Sequence, residues 1–280
     1  MFADDTNIFV TGKNINNMIQ ILNSELMKIV EWMNANKISL NVKKTQFMIV
    51  SGSKTVSQGM DDVRINGNKI EMVNCTKFLG VYIDNKLSWA KHITYIKSKI
   101  SKAIGIICKA RKKLDKAILL TLYYSFVQPY FLYGIEIWRN SYNKYMDSLF
   151  LLQKKAMRII KCVGPKDTTV NIFKEFKVLK LSQLYNVSVA VFMYKFVKGN
   201  LPDIFSHMYS SNFNVHSYNT RNINNLRIPY CRLIIVKQQI RYTGVKIWNY
   251  IRCRINYNCS VHSFRRNVKK LFFIDTKDLY

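Results

Sequence analysis

The sequence predicts an α+β chain with its strands at the front and its helices behind. Three observations carry this. Up to residue 88, short runs of β-forming residues alternate with turn signals around a single helical segment. From residue 89 onward, apolar residues recur at helical spacing over long stretches. Lys and Arg number 44 against 16 acids, and one long helical segment carries cations with no acid among them.

With 280 residues, the chain can form one large domain or two to three small ones around a sizeable core. Apolar residues at 49% and aromatics at 13% exclude wholesale disorder. The net charge of +28 is self-repelling unless a polyanion offsets it, so nucleic acid is the first partner implied and an anionic membrane surface the second. The six cysteines are scattered, with no C-x₂-C spacing and no histidine placed to complete a zinc site. They point to reduced thiols and an intracellular protein, nuclear or cytoplasmic. The N-terminus opens with acids and a turn where a secretory signal needs a basic then apolar run.

In chain order, residues 1–10 place Asp4 and Asp5 between short apolar stretches, the pattern of a tight β-hairpin with both carboxylates at its tip. Two carboxylates there supply hard oxygen ligands suited to Mg²⁺. A second pair, Asp61 and Asp62, follows a polar run and predicts a solvated loop. Between the pairs, residues 14–36 show the stripe Ile15, Met18, Ile19, Leu22, Leu26, Ile29, Val30 and Met33, a helix that Asn14 or Asn17 would cap. Residues 38–41 and 45–50 are expected to be extended. Residues 63–70 should form a hairpin turning at Asn66-Gly67, and residues 78–84 a strand ended by Asn85.

The helical part begins with residues 91–113. Lys91, Lys97, Lys99, Lys102, Lys109, Arg111, Lys112 and Lys113 alternate there with Ile93, Ile96, Ile100, Ala103, Ile104 and Ile107. A solvated lysine face normally carries interspersed glutamates for i,i+4 pairing, and their absence favours a face that tracks phosphates. Residues 117–135 lack charge for 19 positions but hold four tyrosines, Gln128 and Pro129. A buried helix broken near Pro129 fits them better than a membrane span. Helices over 117–138 and 142–162 lead to Gly164-Pro165, where a boundary is expected, and a third section starts at Val170, with Leu179, Leu181, Leu184, Val187, Val191 and Tyr194 on another helix that ends at the Gly199–Pro202 turn. After Asp203 the next acid is Asp275. Between them Arg265, Arg266 and ten other cations interleave with aromatics, the composition of a single-strand binding surface or of a small core with a basic exterior.

Taken together, Phe2-Ala3-Asp4-Asp5-Thr6, then Leu40-Asn41 with Lys44-Thr45, then Phe78-Leu79-Gly80-Val81 followed by Leu87-Ser88-Trp89 and His92, resemble a known family. It is the C-terminal part of the reverse transcriptase of non-LTR retrotransposons, the long interspersed, jockey-like class. The likeness continues through Gln128-Pro129, Leu132-Tyr133-Gly134, Trp138, Leu152-Gln153 and Arg158, covering about the first 160 residues, and is only general after Gly164.

The resemblance implies a truncated polymerase palm over 1–88, made of a β-hairpin, a helix and short antiparallel strands, then a mainly helical thumb over 89–164 and a basic, aromatic-rich helical C-terminal region over 165–280. It implies that Asp4 and Asp5 bind metal, two Mg²⁺ ions serving nucleotidyl transfer in the intact family, and that Lys44 lies by the departing pyrophosphate. Phe78, Leu79 and Gly80 would form the primer grip. Lys91, Lys97, Lys99, Lys102, Lys109, Arg111, Lys112, Lys113, Arg265 and Arg266 would hold an RNA template and DNA primer, with no membrane and no small-molecule cofactor. In the family the fingers and a further metal-binding aspartate precede the Asp-Asp hairpin, and here only Met1 does, so the polypeptide alone is expected to be catalytically incomplete and inactive. The alternative is a non-catalytic RNA- or DNA-binding module derived from such an enzyme.

Overall fold

The first helix starts where its sequence provides a cap. Asn14 Oδ1 accepts from the backbone N–H of Asn16 at 2.9 Å, so of the two candidate asparagines Asn14 caps α1 (Ile15–Ala35). The described residues of this computed structural model are 6–51, 61–139, 141–214 and 223–274. They are α+β, and the chain divides into two units, residues 1–91 and 92–280.

In the first unit, α1 buries Ile19 and Leu26 against Val63, Ile65 and Ile70. Full burial of each such side chain is worth about 1.5–3 kcal/mol, and this small cluster is the unit's core. Val63, Ile65 and Ile70 come from the predicted hairpin, β2 (Arg64–Ile65) and β3 (Asn68–Lys69). Its turn has Asn66 at φ 50° and Gly67 at φ 77°, the two left-handed residues that a two-residue hairpin turn requires. The hairpin is fastened to α1 by Asn23, whose Nδ2 donates to the Asp62 carbonyl at 3.0 Å and whose Oδ1 accepts from the Arg64 N–H at 3.1 Å. The Asp62 carboxylate pairs with Arg64 at 3.0 Å and Lys69 at 2.6 Å. Asp61 and Asp62 lie outside any helix or strand, as expected of a loop, and the part-exposed Asp62 carboxylate draws both cations of its hairpin.

Several strand expectations are corrected. Of residues 45–50 only β1 (Gln46–Phe47) is a strand, and it pairs in parallel with β4 (Glu71–Met72), where antiparallel neighbours were expected. The connection between β1 and β4 exceeds the dozen or so residues that a parallel crossover requires. Residues 78–84 are not one strand. β5 (Cys75–Phe78) and β6 (Val81–Asp84) pair antiparallel, and the chain reverses at Leu79 (φ 45°) and Gly80 (φ 83°). Residues 6–10, the second arm of the expected opening hairpin, form no strand, and Phe9 stands 85% exposed with no ladder partner among the described residues. A two-stranded hairpin without a packed face is marginal.

The second unit takes in α2 (Ala90–Ala110) from His92 onward, and then α3 (Lys116–Phe126), α4 (Gln128–Leu132), α5 (Ile135–Trp138), α6 (Asn143–Lys161), α7 (Val170–Glu175), α8 (Leu181–Val197), α9 (Ile234–Lys237), α10 (Ile240–Ile251) and α11 (Val261–Ile274). The helix expected over 117–138 is cut into three. Pro129 sits at the second position of α4, where its missing N–H is harmless, and Gly134 at φ 64° turns the chain into α5. Among the described residues no helix is long and apolar enough to cross a membrane. The helix expected to carry Leu181, Leu184, Val187, Val191 and Tyr194 is α8, and α7 before it is a separate short helix, because Lys177 takes φ 52° and Gln183 Oε1 accepts from the Lys180 N–H at 2.8 Å to start α8 afresh.

α8 is the axis of this unit. Leu181, Leu184, Tyr185, Asn186, Val187, Val189, Ala190, Val191, Met193 and Tyr194 are all buried, so the helix is enclosed on nearly every side. It packs on α10 and α11 and also on α4, α5 and α6. Helices on both sides of Gly164 therefore lie in one unit.

Candidate nucleic-acid interface

The described sequence blocks behind the resemblance fold into local devices. Leu40-Asn41 and Lys44-Thr45 form a capped 3₁₀ turn: Asn41 Oδ1 accepts from the Lys44 N–H at 3.2 Å, and the Asn41 carbonyl accepts from the Thr45 hydroxyl at 3.0 Å. The two-residue gap in Asn-x-x-Lys-Thr is what that closure demands. Lys44 itself is exposed. Phe78-Leu79-Gly80 is the tip of the β5–β6 hairpin, in a different strand pair from the one Lys44 leads into.

Leu87-Ser88-Trp89 is organised by Asp84, a residue that the motif reading did not single out. Its carboxylate accepts from the backbone N–H groups of Lys86 (3.1 Å), Ser88 (3.0 Å) and Trp89 (2.8 Å) and from the Ser88 hydroxyl (3.1 Å). Leu87 and Trp89 are thereby held at φ 50° and 62°, values that non-glycine residues rarely adopt. The chain then enters α2. The signal for Asp84 was in the sequence, as an acid ahead of Asn85, Lys86 and Ser88 in a turn-rich stretch.

On α2, His92, Ile93, Ile96, Ile100, Ala103, Ile104 and Ile107 are buried. At about 100° per residue they fill one arc, and Lys91, Lys102 and Lys109 fall within about 20° of each other on the opposite side. That row is exposed and about 27 Å long. Lys97 and Lys99 flank the buried arc and are half-buried, Lys99 with its ammonium 5.5 Å from the Tyr95 ring centre. Arg111, Lys112 and Lys113 are corrected from the helix to the turn after Ala110, where all three are exposed. Among the described residues no carboxylate pairs with any of these cations.

α11 repeats the design with Phe264, Val268 and Phe272 buried at four-residue spacing and Arg265, Arg266, Lys269 and Lys270 exposed. The aromatics interleaved with the C-terminal cations divide between two fates. Trp248 and Phe264 are core, with Phe264 stacked on Tyr194 at 4.4 Å, while Tyr230 is 85% exposed.

The later blocks are structural. The Trp138 indole donates to the Tyr133 carbonyl at 2.8 Å and is fully buried, which ties Tyr133-Gly134 to α5. His92 meets Trp138 edge-on at 5.9 Å, and burial pushes its imidazole down to about 4, so it is neutral at physiological pH. Gln153 is fully buried, and Arg158 Nε donates to the Asp167 carbonyl at 2.8 Å.

Asp4 and Asp5 lie outside the described residues. Among the described residues no three His, Cys, Asp or Glu side chains converge as a metal site.

The chain is 26% identical over 192 residues to the RNA-directed DNA polymerase from mobile element jockey of Drosophila melanogaster, covering 67% of this chain and 20% of that protein. It is 23% identical over 162 residues to the probable RNA-directed DNA polymerase from transposon X-element of the same species, covering 57% and 18%. To the retrovirus-related Pol polyprotein from type-1 retrotransposable element R1 of Bradysia coprophila it is 23% identical over 141 residues, covering 49% and 14%. This chain is a relative of the non-LTR reverse transcriptases. It spans at most about a fifth of the length of these three polymerases. No family model and no solved structure matches it.

Within such a relative, the lysine row of α2 and the basic face of α11 are surfaces rather than pockets, each backed by an apolar stripe that fixes its orientation. Lysines so arranged suit a polyanion with evenly repeated charge and carry no information about base sequence.

Proposed function

We propose that this chain supplies the nucleic-acid-holding part of a non-LTR RNA-directed DNA polymerase, with an RNA template and a DNA primer as its partners. The observation that carries the reading is the row Lys91, Lys102 and Lys109, exposed opposite the buried stripe of α2 and paired with no described carboxylate, in a chain related to these polymerases. Under it, residues 1–88 are the end of the palm and α2 opens the thumb. The β5–β6 hairpin tip at Phe78, Leu79 and Gly80 is the primer grip, and the cations of α2 and α11 hold the template–primer duplex. Asp4 and Asp5 are the carboxylates that would hold Mg²⁺, which when bound stabilises charge on the reacting phosphate oxygens. Lys44, set at the end of its capped turn, stands by the departing pyrophosphate.

The test is binding of an RNA–DNA template–primer duplex to the full chain across a salt series. Affinity should fall steeply with salt, and replacing Lys91, Lys102 and Lys109 together by Gln should reduce the slope of log K against log salt by about 2–3. All duplex sequences should weaken alike. Salt-independent affinity, or an unchanged slope in the triple variant, would overturn the reading.

A further inference from the structure

The second unit holds a pocket of ≈ 400 Å³ between residues of α8, α9, α10 and the end of α5. Three cations line it, Arg139 after α5, Lys237 at the end of α9 and Lys246 in α10, and among the described residues no carboxylate does. Glu136, on the turn of α5 before Arg139, makes its charge felt at Tyr185 but is not part of the lining. A volume of this size falls within the range of sites that enclose small ligands, and it exceeds what a bare phosphate fills.

The remaining lining is aromatic and amide. Tyr185 of α8 is buried, and its hydroxyl lies 2.9 Å from Thr243 Oγ1, which in turn donates to the Gln239 carbonyl at 3.1 Å. These bonds set part of the pocket wall before any ligand arrives. Burial is the main influence on the Tyr185 phenol and pushes its pKa up, so that wall stays uncharged. Tyr242 is half-buried, and the Lys246 ammonium stands 5.5 Å from its ring centre. The Arg139 guanidinium lies 5.6 Å from the centre of the Tyr185 ring. Both cations are therefore placed beside ring faces, while the amides of Asn143 and Gln238 supply donors and acceptors of the kind that base edges use.

Phosphate-seeking cations, a ring able to stack and amides within one pocket match a single class of ligand. We infer that this pocket takes one nucleotide, its base against Tyr242 and its phosphate among Lys237, Lys246 and Arg139. The assignment deepens the nucleic-acid reading and, for a nucleotide within a strand, rests on it. It adds a contact sensitive to the base, where the lysine row of α2 and the basic face of α11 sense only charge. The nucleotide can belong to a strand or be free, and the experiment separates the two.

The full chain is titrated with a labelled oligothymidylate, with an abasic phosphodiester of equal length, and with free thymidine monophosphate. The oligothymidylate should bind about tenfold more tightly than the abasic strand, the effect of stacking one base. Tyr242→Ala should abolish that preference while leaving abasic affinity unchanged, and Tyr242→Phe should retain it. Lys237→Gln, at an exposed position, should lower the salt slope by about 0.7 on both strands. Loss confined to the monophosphate in Tyr242→Ala assigns the pocket to a free nucleotide. If neither ligand responds to Tyr242→Ala and Lys237→Gln leaves the slope unchanged, the inference is overturned. Monophosphate binding that depends on Tyr242 in a chain that binds neither strand would keep the pocket and overturn the template–primer reading.

Discussion

Gln153 Nε2 donates to the Tyr123 hydroxyl at 2.9 Å inside the second unit, where both side chains are fully buried. The same nitrogen donates to the Leu179 carbonyl at 2.9 Å, and Oε1 accepts from the Leu181 N–H at 2.9 Å. One amide thus joins α3, α6 and the entry to α8. Gln153→Leu leaves a phenol, a carbonyl and an N–H without these partners and should destabilise the chain by about 3 kcal/mol. Tyr123→Phe removes one partner only and should remove about 1 kcal/mol. Chemical denaturation of both variants checks the ratio.

His92 gives stability a pH dependence of known sign. Its imidazole is held down to about 4 by burial, while an unfolded histidine titrates near 6.5. The contribution is fully present above pH 6.5 and is lost as pH falls toward 4, where the unfolded chain binds a proton that the folded chain refuses. The loss should reach about 3 kcal/mol. His92→Phe, which keeps an aromatic edge on Trp138, should flatten the profile over that interval.

Asp62 works in a lower window. Hydrogen bonds from Lys69 and then Arg64 hold its carboxyl below the usual carboxylate range. Its contribution is present above about pH 4, the unfolded value, and is lost as pH falls through the lowered folded value. Amide exchange in β2 and β3 should quicken in that acid range, and Asp62→Asn should show the quickened exchange already at neutral pH.

Gly105 lies within α2, exposed, with nothing within 4 Å of where a Cβ would stand. Gly105→Ala should stabilise the chain by about 1 kcal/mol, measured as a rise in denaturation midpoint.

How far the sequence foretold these arrangements depended on the range of the interactions involved. The Asn14 cap, the Asn66-Gly67 turn and the stripe of α2 are local patterns, and each lies where the residues put it. Leu79 hid the β5–β6 turn, because leucine seldom takes a positive φ and stands here in a run of β-formers. The break between α7 and α8 falls at Lys177, with neither Gly nor Pro to mark it. The β1–β4 pairing joins two-residue strands across a long connection, and nothing in either dipeptide specifies its partner. Whether Trp248 stacks on a base or fills a core is decided by α8, more than 50 residues earlier. At the candidate interface the spacing of Lys91, Lys102 and Lys109 was readable, but the pocket was not, since Arg139 and Lys246 meet only after α8 and α10 have packed.

The hydrogen bonds that the Asp84 carboxylate accepts from Lys86, Ser88 and Trp89 span at most five residues. A closure so short carries little loop entropy and can form within the fastest steps of folding, before any contact that must wait for α8 or α11. During synthesis this corner can be in place while the later helices are still inside the ribosome, so the residue from which α2 starts is set by chemistry wholly upstream of it.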